Sequence, residues 1–277
     1  MKPLSGQTIL ITGITDKSSL ALTIAKECQK QGATLVCSGL GLTESHKNLS
    51  ENSIIYLQKT YADFQEAVKD ELGDNILTLP LDVSLQSNID QFVENLKNKG
   101  IRLNAFLHSI AMDKTIRKGK VKPIMEVNRE EFMDTMNVTA FSFLVLTQSL
   151  YNASLFSKNA SLLALSYLGA EKLVSHPYKN VGVAKAALER IAKELALELG
   201  KSDGIQVNVL RFSPFTGSKA GSAIEGLTEA VAVCNELSPL GNARPQDLAE
   251  EVAYLFRPSN RVTGEIRHID GGYHIRG

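Results

Sequence analysis

Net charge is what this sequence most plainly lacks: 30 Lys and Arg balance 30 Asp and Glu over 277 residues, and no run of five or six like charges occurs. Holding a polyanion calls for a basic excess or a basic arm, so a nucleic-acid partner is not expected. Cysteine is scarce as well. Cys28, Cys37 and Cys234 are odd in number and scattered, which argues against a disulfide framework and a thiolate metal site and fits a reducing compartment. No apolar stretch reaches the roughly 20 residues that span a bilayer, and no secretory signal precedes the first predicted strand. The expectation is a soluble, cytoplasmic protein with no membrane partner and no bound metal. Linkers, internal repeats and low-complexity tracts are missing too, so residues 1–277 read as one domain. At 43% hydrophobic residues the chain can bury a sizeable core.

What is present is an alternation. Thr8–Thr12 is a short β-branched apolar run ending in Gly13, a strand and a turn. From Ser19, Leu20, Ile24, Ala25 and Cys28 recur at helical spacing until Gly32. Ala33–Cys37 predicts the next strand. Further strands are expected at Ile76–Leu81, Leu103–His108, Ser161–Leu165, Ile205–Leu210 and Ile266–Ile269. Helices are expected around Tyr61–Leu72, Ser87–Lys97, Arg129–Leu150 and Gly182–Leu199. Seven strands alternating with helices predict an α/β fold: a doubly wound, Rossmann-like parallel sheet, helices on both faces. Two segments break the rhythm, the Lys-rich stretch Ala111–Val127 and the Gly-containing stretch Ser213–Asn235. Both begin at carboxyl ends of strands, where such sheets bind ligands, so 213–235 is expected to be a substrate-binding lid.

The first turn, Thr12-Gly13-Ile14-Thr15-Asp16-Lys17-Ser18-Ser19-Leu20, keeps one glycine of the dense Gly-rich fingerprint. Gly13 lets a pyrophosphate approach the backbone, and Ser19 and Leu20 open the helix where free amides face an anion. Ser19 is equally readable as a plain helix cap. Asp82-Val83 follows the third strand, where a carboxylate and an amide can meet an adenine; Asp82 can also cap the next helix. Ser109-Ile110, after His108, lets a flat cofactor lie on the backbone, while His108 reads as a packed histidine. Tyr178 and Lys185 lie seven residues apart, nearly two helical turns, and so face one side.

Taken together these residues resemble the enoyl-acyl-carrier-protein reductases, the divergent branch of the short-chain dehydrogenase/reductase family. Leu165-Ser166-Tyr167-Leu168-Gly169-Ala170-Glu171, then Tyr178 and Lys185, is similar to that branch's active-site signature. The resemblance runs from Leu4-Ser5-Gly6 to Asp270-Gly271-Gly272. It implies reduction of a trans-2-enoyl thioester by a nicotinamide cofactor. Tyr178 would hydrogen-bond the developing enolate, Lys185 would bind the nicotinamide ribose, and Tyr167 would border the substrate, unless it is simply a core aromatic. The Pro214-Phe215-Thr216 turn would meet the carboxamide. The resemblance further implies an acyl carrier protein or other thioester carrier as partner, and a homotetramer.

Departures accompany the likeness. One extra residue separates Tyr167 from Tyr178, and Phe212-Ser213-Pro214 stands where the family has Ala-Gly-Pro. After the second strand Ser38-Gly39-Leu40 offers neither an acid for a free ribose nor an Arg for a phosphate. Lack of a base favours NADH; His46 and Lys47 folding back would admit NADPH. The lid's Ala223–Ala230 carries two acids, with Lys219 the one nearby cation, so carrier docking would fall to Lys172, Lys179 or Arg244. Two other readings stand beside the reductase: a short-chain ketoacyl or alcohol dehydrogenase, suggested by Asn137-Val138, and a non-catalytic dinucleotide-binding protein. Val181, four residues before Lys185, lacks the hydroxyl the dehydrogenase needs.

Overall fold

A computed structural model describes residues 2–117, 119–175, 178–217 and 224–276. Seven strands form one parallel sheet: β1 (Thr8–Thr12), β2 (Thr34–Gly39), β3 (Leu77–Pro80), β4 (Leu103–His108), β7 (Phe156–Ser166), β8 (Gln206–Phe212) and β9 (Ile266–Ile269). Their order is β3-β2-β1-β4-β7-β8-β9, with β5 (Ile116–Arg117) and β6 (Lys120–Val121) forming a separate two-stranded hairpin. The chain winds outward in both directions from the β1–β4 pair, which makes that pair the switch point of the sheet.

Period-two alternation divides the strands between two cores. Leu10, Val36, Phe106, Leu162 and Val209 face one layer, and Ile9, Ile11, Leu35, Cys37, Leu107, Leu163 and Leu210 face the other. Because both faces are covered, the strands are apolar nearly throughout. On the first face lie α3 (Gln86–Asn98), α4 (Arg129–Met136), α5 (Ser142–Asn152) and α6 (Lys179–Asp203), contributing Phe92, Phe143, Leu146 and Leu188. The second face carries α1 (Leu20–Lys30), α2 (Glu51–Leu72) and α8 (Pro245–Leu255), with Ile24, Phe64, Leu248 and Val252. Between α6 and α8, α7 (Leu227–Leu237) packs Cys234 against Leu168 and Tyr273. All three thiols are buried and free; burial pushes the Cys37 thiol up to about 12. None of the described helices is long and apolar enough to cross a membrane.

The structure extends and corrects several expected elements. α2 begins at Glu51, ten residues before Tyr61, because the Ser50 side chain accepts the Ser53 amide and caps a polar first turn. The expected long helix is broken into α4 and α5 by a π turn at Asn137–Phe141. There the Thr139 hydroxyl donates to the Met112 carbonyl and accepts from the Met112 amide, tying the wider turn to the segment after β4. α8 was not among the expected helices. Proline ordinarily ends a helix, but Pro245 occupies the first turn of α8, where a missing N–H costs nothing.

Candidate active site

The carboxyl ends of β1, β4, β7 and β8 open into a cleft of about 740 Å³. Gly13, Ser19, Leu20, Asp82, Val83, Ser109, Ile110, Tyr167, Tyr178, Lys185, Pro214 and Phe215 all line it. Thr216 does not line it, and of the expected lid Lys219, Gly221 and Ala223 lie outside the described residues.

Gly13 shows why the first turn tolerates no side chain. Its φ is +83°, and a Cβ would stand 2.1 Å from the Ser109 carbonyl oxygen. Gly13→Ala is therefore expected to cost about 3 kcal/mol through left-handed strain and a backbone clash. A thermal melt checks this; a midpoint unchanged within 1 °C would contradict it. The Ser19 hydroxyl accepts from the Thr15 and Asp16 amides at 2.9 and 3.1 Å. It therefore folds the turn back on itself instead of capping α1. The first amides of α1, which have no intrahelical acceptor, are what the turn offers an anion.

At the other end of the cleft, Asp82 accepts from the amide and hydroxyl of Ser84 at 2.9 and 2.6 Å. His46 does fold back, but onto Asp82, at 3.2 Å from Nε2 to Oδ2. Since His46 Nδ1 accepts the Thr43 amide, the Nε2 proton is donated to the carboxylate. Ser38 Oγ, beside Gly39 and Leu40 in the cleft wall, is buried without a hydrogen-bond partner. An orphaned hydroxyl at the end of β2 fits a ribose hydroxyl.

Tyr178 is the residue immediately before α6, at φ −71° and ψ 75°, so the tyrosine enters the cleft from the helix start. Burial, then Asp113, pushes its phenol up to about 12, which keeps it a proton donor at neutral pH. Like Ile116 and Val121, it packs against the cluster of Ile224, Leu227 and Ala230, so the start of α7 lies over it. Tyr167 crosses Tyr178 edge to face, with ring centroids 6.3 Å apart, and its hydroxyl donates to the Tyr178 carbonyl. Gly169 and Gly182 leave room for that ring: a Cβ on Gly169 would meet it at 2.3 Å, and one on Gly182 would lie 3.1 Å from its oxygen.

Lys185 is buried and donates to the Ile110 carbonyl at 3.2 Å. Burial lowers its pKa to about 7, with Glu189, one turn along α6, opposing the shift. The sign follows from which state holds the proton. An unfolded Lys stays charged to about pH 10.4, so from about pH 7 to there the unfolded chain binds the extra proton and stability rises with pH. In the folded protein the ammonium is present below about pH 7 and lost above it. If the charged form is the active one, kcat/KM falls tenfold per pH unit above about 7. Lys185→Arg is expected to remove that limb, since a guanidinium does not titrate there; a limb unmoved in the variant would assign it to another group.

His108 is not part of the cleft wall. Ser142 donates its one proton to the Val138 carbonyl at 2.7 Å and so accepts from His108 Nε2 at 2.8 Å. The imidazole packs between Phe106 and Phe143, and burial holds its pKa well below the usual value. It is a core residue.

The model of the enoyl-(acyl carrier protein) reductase family matches residues 13–274. The chain belongs to the enoyl-acyl-carrier-protein reductase family. Among curated relatives, the NADH-dependent FabI of Buchnera aphidicola is 32% identical over 279 residues, covering 98% of this chain and 96% of that protein. The FabI–NADH complex of Alistipes finegoldii superposes with a TM-score of 0.85 at 25% identity, covering 100% of this chain and 91% of that one. The Bacillus cereus enoyl reductase, solved with NADP+ and an indole naphthyridinone, gives 0.83 at 27%, covering all of both chains.

In this reductase the place of the dehydrogenase tyrosine is taken by Val181, which is buried and lines the cleft. Asn137 also reaches the cleft, but without a hydroxyl at Val181 the dehydrogenase relay has no acid. Two residues went unread in the sequence. Asp113 follows the small-residue strand end and acts on Tyr178 through its charge. Glu189 lies at the i+4 position from Lys185, a spacing visible in the sequence once Lys185 is suspected.

Proposed function

We propose that this chain reduces the trans-2 double bond of an enoyl thioester with NADH, as in type II fatty acid synthesis. The carrying observation is that Tyr178 and Lys185 line one cleft while Val181, between them, offers no hydroxyl. NADH, when bound, supplies the hydride that the β-carbon of the substrate receives. Tyr178 remains protonated and gives a hydrogen bond to the thioester oxygen as negative charge develops there, and the enolate then takes a proton from solvent at its α-carbon. Lys185 orients the ribose and holds positive potential beside the site. Tyr167 has its hydroxyl committed to the Tyr178 carbonyl; its role on this reading is to fix Tyr178 and wall the acyl chain. Residues 1–277 act as one reductase domain, in which 213–235 forms the lid over the acyl end.

NADH is preferred over NADPH because, among the described residues, no lysine or arginine lines the cleft near Leu40, and His46 is engaged by Asp82. The thioester carrier is acyl carrier protein, docking beside the mouth where Lys179 is exposed. Arg244 is paired with Asp247, and Lys172 donates to the His274 carbonyl. Exposed Met133 and Phe141 on the α4–α5 face, and Val183 and Leu197 on α6, support burial of these helices in a homotetramer. NADH oxidation measured with crotonyl and acetoacetyl thioesters tests the assignment. Turnover of the crotonyl substrate alone is expected, with NADPH at least tenfold poorer in kcat/KM. Turnover of acetoacetyl thioester alone would transfer the chain to the dehydrogenase reading, and no turnover of either would favour a binding protein.

A further inference from the structure

Arg211 is an unusual residue to find on β8, between two other strands of the sheet and 4% exposed. Its guanidinium makes a two-pronged bond to Glu189, Nε to Oε1 at 2.8 Å and Nη2 to Oε2 at 2.6 Å. Nη1 donates to the Glu171 carboxylate and approaches His268 Nε2 at 3.3 Å. Glu189 Oε1 also accepts the Ser166 hydroxyl at 2.7 Å, and Ser166 lines the cleft. One buried cation therefore joins three pieces of the site. Through Glu189 it holds α6 one turn beyond Lys185. Through Ser166 it holds the end of β7, and through Glu171 it holds the turn that follows Tyr167.

The two carboxylates are not equivalent. Glu189 alone would satisfy the fork geometry of a buried Arg and balance its charge. Glu171 adds a second carboxylate from a side chain that is about half exposed. Its bond costs ordering of a surface side chain and contributes little to stability at such exposure. What it does is anchor the segment on its way to the tyrosine, and the neighbouring Lys172–His274 carbonyl bond anchors the next residue. The adjacent cluster of His268, Asp270 and His274 offers nitrogen and oxygen ligands, yet it makes a poor cation site. Its two rings stack at 4.0 Å, Arg211 already faces one of them, and Asp270 already bonds Nδ1 of the other.

We propose that Arg211 and Glu171 are positioning residues: the bond between them sets where Tyr178 stands relative to Lys185. The inference rests on the reductase reading for its kinetic consequence but not for its structural one. Arg211→Met would strand the buried Glu189 charge and unfold the site for trivial reasons, so the informative variant is Glu171→Ala, with Glu171→Gln retaining an acceptor for Nη1. Hydrogen exchange of the amides of residues 172–175 and of Tyr178 is expected to quicken at least tenfold in Glu171→Ala, while α6 exchanges as in the parent protein. With crotonyl thioester, kcat is expected to fall about tenfold, with the NADH dissociation constant unchanged within twofold and Glu171→Gln recovering most of the loss. Parent-like exchange in Glu171→Ala would overturn the proposal whether or not the reductase assignment stands. Faster exchange with parent-like kcat, in a parent that turns over crotonyl thioester, would overturn its kinetic half. A parent inactive on crotonyl thioester would instead count against the function, and the exchange result would still decide the anchor.

Discussion

Tyr178→Phe is expected to lower kcat for an enoyl thioester by about 10²–10³-fold, the usual loss on removing one donor from a site of developing negative charge. The effect is differential. A phenol held up to about pH 12 remains a neutral donor, and the thioester carbonyl in the ground state accepts that bond only weakly. The enolate oxygen accepts it strongly, so the missing bond raises the barrier more than it weakens substrate binding. The phenylalanine ring keeps the packing against Leu227 and Ala230, and the carbonyl that receives the Tyr167 hydroxyl is main chain. Cofactor affinity and stability should therefore stay close to the parent. Single-turnover kinetics with fluorescence titration of NADH checks both; equal losses in kcat and in NADH affinity would remove the tyrosine from its assigned role.

Lys185→Met should act on the other partner. An ammonium bonded to ribose hydroxyls contributes about 1.5–3 kcal/mol, so the NADH dissociation constant is expected to rise roughly 10–150-fold. The variant also carries a stability signature. With the buried amine gone, the rise of stability that burial of Lys185 creates from about pH 7 upward should vanish. Melting curves across that range read it directly. An unchanged NADH dissociation constant would show that the lysine, though in the cleft, does not touch the cofactor.

Why some of this was readable in the sequence and some was not follows from the range of the interactions. Strands such as Leu103–His108 and Ile266–Ile269 match their expected bounds because period and turn chemistry are local. Gly13 was legible for the same reason, as a lone glycine after a β-branched run. The polar first half of α2 was not, because its cap at Ser50 is a single hydroxyl before an unpatterned stretch. The π turn at Asn137 depends on Thr139 meeting Met112, residues 27 apart, which no periodicity records. Ser19 and Asp82 were singled out in the sequence and line the cleft, but their partners Thr15, Ser84 and His46 appear only when the loops fold. Arg211 reads in sequence as a polar interruption of an apolar strand; its meaning lies in Glu189 and Glu171, 22 and 40 positions away.

Isotope transfer measures where the hydride goes. NADH deuterated on the transferred side of C4, incubated with the protein and crotonyl thioester, should yield butyryl thioester carrying one deuterium at the β-carbon and none at the α-carbon. That is the outcome expected of the proposed site, with Tyr178 as hydrogen-bond donor and Val181 without a hydroxyl. Deuterium at a carbinol carbon from acetoacetyl thioester, with the crotonyl substrate left untouched, would contradict it.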